Sequence, residues 1–203
     1  NPRIHAHVAD GLDVTRPRTE REAVEYVLHL LVGRLFAGGR AVGGGGRRGW
    51  LGGGAAGMMC AATINELNPA IEVFIIEKNT SLGKKVLISG GGRCNVTTGI
   101  DDVRLALSKY PRGAKFLTSS FYHFSPAHVR EWFEKHDVPL KCEEDLRVFP
   151  VSDNGHDIVR AFETVFLKHH TAVVFNHIVQ SIAYSSTRHV FTIVFKNQDP
   201  LEC

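Results

Sequence analysis

The sequence of 203 residues predicts an α/β fold with a parallel sheet, several helices and an antiparallel β-meander. A glycine-rich turn at Gly52–Gly57 opens a helical pattern that runs from Gly54 to Leu67. The apolar run Ile71–Ile76 follows and ends in charged residues, which is typical of a buried parallel strand. Residues 172–195 then alternate as strands do. A glycine turn, a helix and a buried strand in this order predict the start of a Rossmann-like domain.

The remaining elements are predicted from apolar periodicity and from signals at their ends. Ser125 is the expected N-cap of one helix, because Pro126 follows at the first helical position. The further predicted helices are Asp102–Ser108, Ala114–Phe121, Pro126–Lys135 and Asp157–His169. A glycine-rich loop is expected from Leu82 to Thr98. The predicted strands of the β-meander are Ala172–Phe175, Ile178–Tyr184 and Val190–Phe195.

Residues 1–49 differ in composition from the rest of the chain. Thr19–Phe36 fits one amphipathic helix, and the Gly/Arg-rich stretch after it cannot bury a core. We interpret residues 1–49 as an atypical segment that is either disordered or artefactual, and residues 50–203 as a partial dinucleotide-binding domain. A start at Asn1 and an abrupt end at Cys203 lead us to expect a domain that is incomplete at both ends.

Composition narrows the class of protein. A net charge of +3, with no basic stripe interleaved with aromatic residues, argues against a nucleic-acid partner. The longest early apolar run, Val27–Val32, is too short to span a bilayer, so we expect a soluble protein with no membrane partner. The 4 cysteines form no C-x-x-C pair, which favours a cytoplasmic location and no disulfide framework. The 11 histidines show no metal-binding spacing, so no metal site is expected.

The turn Gly52-Gly53-Gly54-Ala55-Ala56-Gly57 carries the first functional signal. Its glycines permit a tight turn, a close approach of the backbone to phosphate, and close packing of the helix on a strand. The helix that it opens can hold a pyrophosphate at its N-terminus. Glu77 ends the predicted strand, at the distance where a carboxylate accepts hydrogen bonds from the ribose of an adenosine. The pattern therefore favours FAD or NAD over NADP.

The strand before this turn is the weakest part of the prediction. A Rossmann unit needs about five apolar residues there, and only Trp50 and Leu51 suit that role. Arg47 and Arg48 are poor occupants of a central strand. Either the first strand is short and distorted, or the residues before Trp50 do not belong to the original protein.

The loop Leu82–Asn95 is the more distinctive motif. It contains Leu82-Gly83-Lys84-Lys85 and Ile88-Ser89-Gly90-Gly91-Gly92-Arg93-Cys94-Asn95, after Glu77-Lys78-Asn79. Together with the turn at Gly52–Gly57, with Arg147-Val148-Phe149-Pro150 and with Val179-x-Ser181-Ile182, it resembles the YhiN/BaiN-like family of NAD(P)/FAD-dependent oxidoreductases. The resemblance covers residues 50 to about 196, and nothing before Trp50 resembles the family.

This resemblance implies an FAD-dependent oxidoreductase that transfers hydride through the flavin to or from a small organic substrate, with NAD(P)H as a further partner. It implies a partial FAD/NAD(P)-binding domain, with the pyrophosphate on Gly52, Gly53, Gly54, Ala55, Ala56 and Gly57, and the ribose near Glu77 and Lys78. Gly83, Lys84, Ser89, Arg93, Cys94 and Asn95 would lie toward the flavin, and Val179 near the adenine. No catalytic residue is assigned. A non-catalytic FAD- or ADP-binding fragment and an NAD-binding module stay open as alternatives, as does the oligomeric state.

Overall fold

The computed structural model describes residues 48–188 and 190–202. The predicted helix Thr19–Phe36 and most of the Gly/Arg-rich stretch lie outside the described residues. Within the described part, three small sheets and six α-helices surround two clusters of buried apolar side chains.

The first sheet is parallel and consists of β1 (Arg48–Leu51), β2 (Val73–Ile76) and β6 (Ala172–Val174), in that order. Helix α1 (Ala55–Leu67) connects β1 to β2. In the register, Leu51 lies opposite Ile76, and Ile76 lies opposite Val174. The carboxyl ends of all three strands therefore meet at one edge of the sheet, which is where ligands bind in open α/β folds.

Strand β1 is short, as its sequence suggests, but its pairing is regular. All four residues from Arg48 to Leu51 pair with Val73–Ile76 in unbroken parallel register. A β-ladder is formed by backbone groups, so the unfavourable arginine at its start does not prevent pairing. Among the described strands, β1 pairs with β2 alone, and it therefore lies at one side of this sheet.

The larger core lies between this sheet and two helices, α1 and α6 (Gly155–Lys168). Met58, Ile64 and Ile75 are at most 1% exposed, and Phe162 and Val165 pack into the same cluster. The short helix α2 (Lys84–Ile88) packs against α6. The 3-10 turn Ser89–Gly92 follows α2 directly. This packing fixes the loop after β2 relative to the sheet.

A second sheet was missed by the sequence prediction. It contains β3 (Thr97–Thr98), β5 (Arg147–Pro150) and β4 (Leu140–Cys142), all antiparallel and in that order. Its strands have two to four residues, too few to show an alternating pattern. The helices α3 (Val103–Ser108), α4 (Ala114–His123) and α5 (Pro126–Lys135) lie between β3 and β4 along the chain.

Helix α5 begins where its sequence predicts. The Ser125 hydroxyl accepts a hydrogen bond from the His128 backbone N–H (3.3 Å), and the His128 side chain accepts from the Ser125 backbone N–H (3.0 Å). This reciprocal capping box satisfies donors that the helix itself leaves without partners. None of the helices in the described ranges is long and apolar enough to cross a bilayer.

The third sheet is an antiparallel meander of β7 (Val179–Ser185), β8 (Val190–Phe195) and β9 (Leu201–Glu202). The prediction that Ala172–Phe175 belongs to this meander is wrong, since that segment is β6 of the parallel sheet. The reason is its connection: β6 follows a long helix, and such a crossover returns the chain parallel to the earlier strands. The meander packs on the parallel sheet through Phe74, Ile76, Ile193 and Phe195.

Candidate cofactor site

The glycine turn after β1 is fastened to the end of β2. The Gly52 N–H donates to the Ile76 carbonyl at 2.7 Å, and the Gly53 N–H donates to Oε2 of Glu77 at 2.6 Å. The Gly53 carbonyl in turn accepts from the Gly83 N–H at 2.7 Å. The turn is therefore held by β2 on one side and by the second glycine loop on the other.

The three successive glycines meet three different requirements. Gly52 has φ +84°, a left-handed conformation that residues with a Cβ rarely adopt. A Cβ on Gly53 would overlap the buried Leu82 side chain and crowd Oε2 of Glu77. A Cβ on Gly54 would meet no atom within 4 Å, because this residue faces open space at the mouth of a cavity. The space that a side chain would fill at Gly54 is available to a ligand.

Helix α1 presents its N-terminus to the same space. Its N-cap is Gly54, with an extended backbone (φ −85°, ψ 178°), and no side chain caps the helix. No acidic residue stands in its first turn. The N–H groups of that turn and the dipole of the 13-residue helix therefore favour an anion at this point.

Glu77 is the buried carboxylate of the site and is only 6% exposed. Oε1 accepts from the Asn79 backbone N–H (2.8 Å) and from Asn79 Nδ2 (2.5 Å), while Oε2 accepts from Gly53. A carboxylate oxygen can accept two hydrogen bonds, so Oε2 retains capacity for one more donor. The hydroxyl of a sugar is a donor of that kind.

The second glycine loop forms another wall of the site. Lys84 and Lys85 start α2, are exposed, and form no ion pair with any described residue. Lys78, after Glu77, is exposed in the same way. A Cβ on Gly90 would lie 2.7 Å from the Phe149 ring and 2.8 Å from the Asn95 backbone nitrogen. The loop therefore packs directly against β5, which brings Asn95 to the cavity.

Cys94 and Cys60 are both buried thiols. Burial raises the pKa of Cys94 above its usual range, and the Ser89 hydroxyl partly opposes that shift. Burial raises the pKa of Cys60 to about 12. Because the thiolate is the reactive form, neither environment activates the sulfur.

Arg93 points away from the cavity. Its guanidinium pairs with Glu143 (2.5 Å) and Asp153 (3.3 Å), and it lies 3.9 Å above the centre of the Phe149 ring. Lys141 binds Asp153 at 2.5 Å, and this hydrogen bond, together with Arg93, lowers the pKa of that carboxyl. The cluster joins the second glycine loop to the second sheet. The role near a flavin that was predicted for Arg93 stays a prediction.

The site opens onto a cavity of about 840 Å³. Most of the sequence-predicted residues line it: Gly52, Gly53, Gly54, Ala55, Ala56, Glu77, Lys78, Lys84, Ser89, Cys94, Asn95 and Val179. Three do not, namely Gly57, Gly83 and Arg93. A polar lining residue that the sequence reasoning did not assign is Asn79, although it belongs to the quoted run Glu77-Lys78-Asn79. Lys85 also lines the cavity, as does His177, whose Nδ1 lies 2.7 Å from the Phe175 carbonyl.

The deep wall of the cavity is apolar and comes from distant parts of the chain. It includes Met59, Val96, Val129, Phe133, Ile158 and Phe162. No local motif marks these residues, because helices α1, α5 and α6 each contribute to them only after folding. The site thus combines an uncapped helix N-terminus, a buried carboxylate and an apolar wall.

This geometry defines a dinucleotide-binding domain of the Rossmann class. A family model described as the HI0933-like protein Rossmann domain matches residues 50–203, which is more than half of the chain. The chain therefore belongs to the HI0933-like family, and the resemblance predicted from the loop Leu82–Asn95 is confirmed. FAD is the cofactor of this family.

Two curated relatives match part of the chain. It is 28% identical over 117 residues to the 3-dehydro-bile acid delta(4,6)-reductase of Clostridium scindens, and this match covers 58% of this chain and 28% of that protein. It is 33% identical over 102 residues to the Ribosomal RNA dihydrouridine synthase of Escherichia coli (strain K12), and this match covers 48% of this chain and 25% of that protein. The matches thus span about a quarter of the relatives' lengths.

The fold is also similar to that of a solved dehydrogenase structure. The 3-ketosteroid-delta4-(5alpha)-dehydrogenase from Rhodococcus jostii RHA1, in complex with 4-androstene-3,17-dione, superposes with a TM-score of 0.53. The identity is 17%, and the match covers 76% of this chain and 42% of that chain. At this identity the likeness shows the fold alone.

Proposed function

We propose that this chain binds FAD and contributes the adenosine diphosphate half of the site in a flavin-dependent oxidoreductase. The observation that carries the proposal is the Glu77 carboxylate, buried at the carboxyl edge of the parallel sheet and bonded to the Gly53 N–H. It stands beside the uncapped N-terminus of α1. The carboxylate would accept from the ribose and the helix end would hold the pyrophosphate, and their adjacency supports a dinucleotide.

The residues present fit each part of the cofactor. The open space at Gly54 allows phosphate oxygens to approach the backbone, and Lys84 and Lys85 supply positive charge nearby. Val179 lines the cavity beside β2 and suits the adenine. Ser89, Cys94 and Asn95 lie on the second loop, where the ring system would continue.

The reaction proposed is hydride transfer involving a carbon–carbon double bond conjugated to a carbonyl group. The names of the two curated relatives motivate this proposal, since one is a delta(4,6)-reductase of a 3-dehydro bile acid and the other a dihydrouridine synthase of ribosomal RNA. When bound and reduced, FAD would supply the hydride to the double bond, a proton would complete the addition, and a nicotinamide donor would reduce the oxidised cofactor again. The contribution of this chain is to bind and orient, and the apolar wall around Phe133 and Phe162 would keep water from that region.

A second candidate substrate is a uridine within RNA instead of a small organic molecule. The match to the Ribosomal RNA dihydrouridine synthase, 33% identical over 102 residues, supports it. A cytoplasmic location remains part of the proposal and rests on the cysteines, of which Cys60, Cys94 and Cys142 are free thiols.

The test is a titration of the purified full chain with FAD, followed by flavin absorbance and by quenching of flavin fluorescence. We expect one FAD per chain and a yellow protein after removal of free ligand. The Glu77→Ala variant should bind FAD at least about tenfold more weakly, because charged hydrogen bonds of this kind contribute about 1.5–3 kcal/mol.

Two other outcomes would contradict the proposal. A folded chain that binds NAD but not FAD in a thermal-shift assay would identify it as an NAD-binding module. A folded chain that binds neither cofactor would identify it as a non-catalytic fragment. If FAD binds but no enone or uridine is reduced in the presence of NADH or NADPH, the cofactor assignment stands and the reaction class is wrong.

A further inference from the structure

The hairpin of α3 and α4 carries an unusual charge. The segment from Val103 to His123 contains four cations, Arg104, Lys109, Arg112 and Lys115, and no aspartate or glutamate. All four cationic residues are exposed. The charge of this one segment exceeds the net charge of +3 of the whole chain. A strongly positive surface of this kind attracts polyanions.

The same hairpin exposes aromatic rings. Phe116 is 76% exposed, Tyr122 53% and Tyr110 43%, although large apolar side chains usually lie inside. Helix α4 has no buried residue, and its main packing partner in the described chain is α3. The Tyr110 and Phe121 rings meet edge to face, 5.5 Å apart, so the Tyr110 ring is held in place.

The acidic residues next to the hairpin do not neutralise it. Asp101 pairs with Arg130 of α5, and Asp102 caps α3 by accepting from the Leu105 N–H at 2.7 Å. Lys109, Arg112 and Lys115 form no ion pair with any residue that the structure describes. Their charge is therefore available to a ligand.

We propose that the α3–α4 hairpin is a docking surface for single-stranded RNA. Its cations would contact phosphates, and Tyr110, Phe116 and Tyr122 would stack on unpaired bases, which is how proteins hold single strands. An anionic membrane is the less suitable partner, because the apolar face of an interfacial helix is built from Trp, Phe and Leu, and only Leu105 and Phe116 are of that kind among the large exposed hydrophobic side chains described in the hairpin. We expected no nucleic-acid partner because the net charge is low and no basic stripe interleaved with aromatic residues was apparent in the sequence; this hairpin brings exposed cations and exposed aromatic rings together.

The position of the hairpin fits this role. It lies in the chain between β3 and α5, and Val129 and Phe133 of α5 line the cavity. Arg130 of α5 donates to the Thr98 carbonyl at 2.9 Å and pairs with Asp101, which ties the base of the hairpin to the cavity wall. The inference deepens the proposed function, on which it rests for its chemistry, because the hairpin is joined through α5 to the wall of the cavity.

The test measures binding of a fluorescein-labelled single-stranded RNA of about 16 nucleotides by fluorescence anisotropy at several salt concentrations. The variant Lys109→Gln, Arg112→Gln, Lys115→Gln should weaken binding and reduce the slope of log K against log salt by about 2, since each phosphate contact on a single strand contributes about 0.7. The matched control Arg160→Gln, Lys168→Gln, Lys196→Gln removes as many exposed charges elsewhere and should leave the slope unchanged. An equal effect in both variants would overturn the assignment.

A second variant tests the aromatic part. Tyr110→Ala with Phe116→Ala should weaken single-strand binding about tenfold while the binding of a duplex of the same sequence changes little, because only unpaired bases can stack. Both side chains are exposed, so the fold should persist, and circular dichroism checks it. A wild-type chain that binds duplex and single strand equally would contradict the stacking.

Two further measurements separate this inference from the proposed function. The same protein is mixed with phosphatidylserine vesicles, which are then sedimented. If the protein sediments with the vesicles and does not bind RNA, the hairpin is a membrane-binding surface instead. FAD titration of the hairpin variants should match the wild type. RNA binding without FAD binding would refute the cofactor proposal alone, and FAD binding without RNA binding would refute the hairpin proposal alone.

Discussion

Replacing Gly54 by alanine should separate ligand binding from stability. Gly54 is the N-cap of α1, and its backbone angles (φ −85°, ψ 178°) are allowed for any residue. An added Cβ would meet no protein atom within 4 Å. The methyl group would occupy only the space that we assign to the pyrophosphate.

The expected change in stability is small because two effects nearly cancel. Alanine is a poorer N-cap than glycine, which costs about 0.5–1 kcal/mol. Alanine also restricts the unfolded chain, which stabilises by about 0.4–1 kcal/mol. The free energy of unfolding should therefore change by less than about 0.5 kcal/mol. Loss of one or more charged hydrogen bonds to phosphate, each contributing about 1.5–3 kcal/mol, should raise the Kd for FAD between about 10-fold and 100-fold.

The assay combines urea unfolding of the ligand-free chain with FAD titration. Gly53→Ala is the matched contrast, since its Cβ would overlap the buried Leu82 side chain. That variant should lose about 1–3 kcal/mol of stability through overpacking, before any ligand is added. The reasoning is refuted if Gly54→Ala binds FAD as the wild type does, or if it unfolds as readily as Gly53→Ala.

Three other substitutions or treatments have definite expected results. Glu77→Gln should lower the free energy of unfolding by about 1.5–3 kcal/mol, measured in urea, because an amide has one acceptor oxygen where the carboxylate uses two. Iodoacetamide followed by mass spectrometry should label the exposed Cys142 in the native chain, and Cys60, whose pKa is about 12, only on unfolding. Asp153→Asn should destabilise the chain at neutral pH. The hydrogen bond from Lys141 lowers the folded-state pKa of Asp153, so the ionised carboxylate stabilises the fold above about pH 4. This stabilisation is lost as the pH falls through the lowered pKa.

Each of the two substitutions has a control on the exposed surface. Glu163→Gln on α6 should leave the unfolding curve unchanged. If this variant lost as much free energy of unfolding as Glu77→Gln, the buried hydrogen bonds of Glu77 would not explain the effect. Asp199→Asn should show no difference from the wild type at any pH in thermal unfolding. Equal labelling of Cys60 and Cys142 in the native chain would contradict the burial of Cys60.

The sequence predicted those features that depend on neighbouring residues. Ser125 and Pro126 mark the start of α5 because a capping box is formed within one turn. Glu77 was placed correctly at the end of β2 because four successive buried residues precede it. The turn that it binds was recognised by its glycines, although the packing constraint of Gly53 against Leu82 was not.

Features that depend on contacts between distant residues could not be predicted in the same way. Arg93 turns outward because Glu143 and Asp153, which are 50 and 60 residues away in the chain, bind its guanidinium. Strand β6 was assigned to the wrong sheet because its own three residues do not distinguish a parallel from an antiparallel neighbour. Most of the apolar wall of the cavity was missed for the same reason, since three helices supply it.

The backbone of Gly53 has a consequence for the rate at which a ligand can enter or leave. Its N–H is bound to Glu77 and its carbonyl to the Gly83 N–H, so one residue joins β2 and both glycine loops. Neither loop can swing open without breaking the bond between Gly53 and Gly83, which restrains both. Opening of one loop should therefore loosen the other, and the residence time of a bound dinucleotide would depend on the frequency of that opening as well as on the contacts with the ligand.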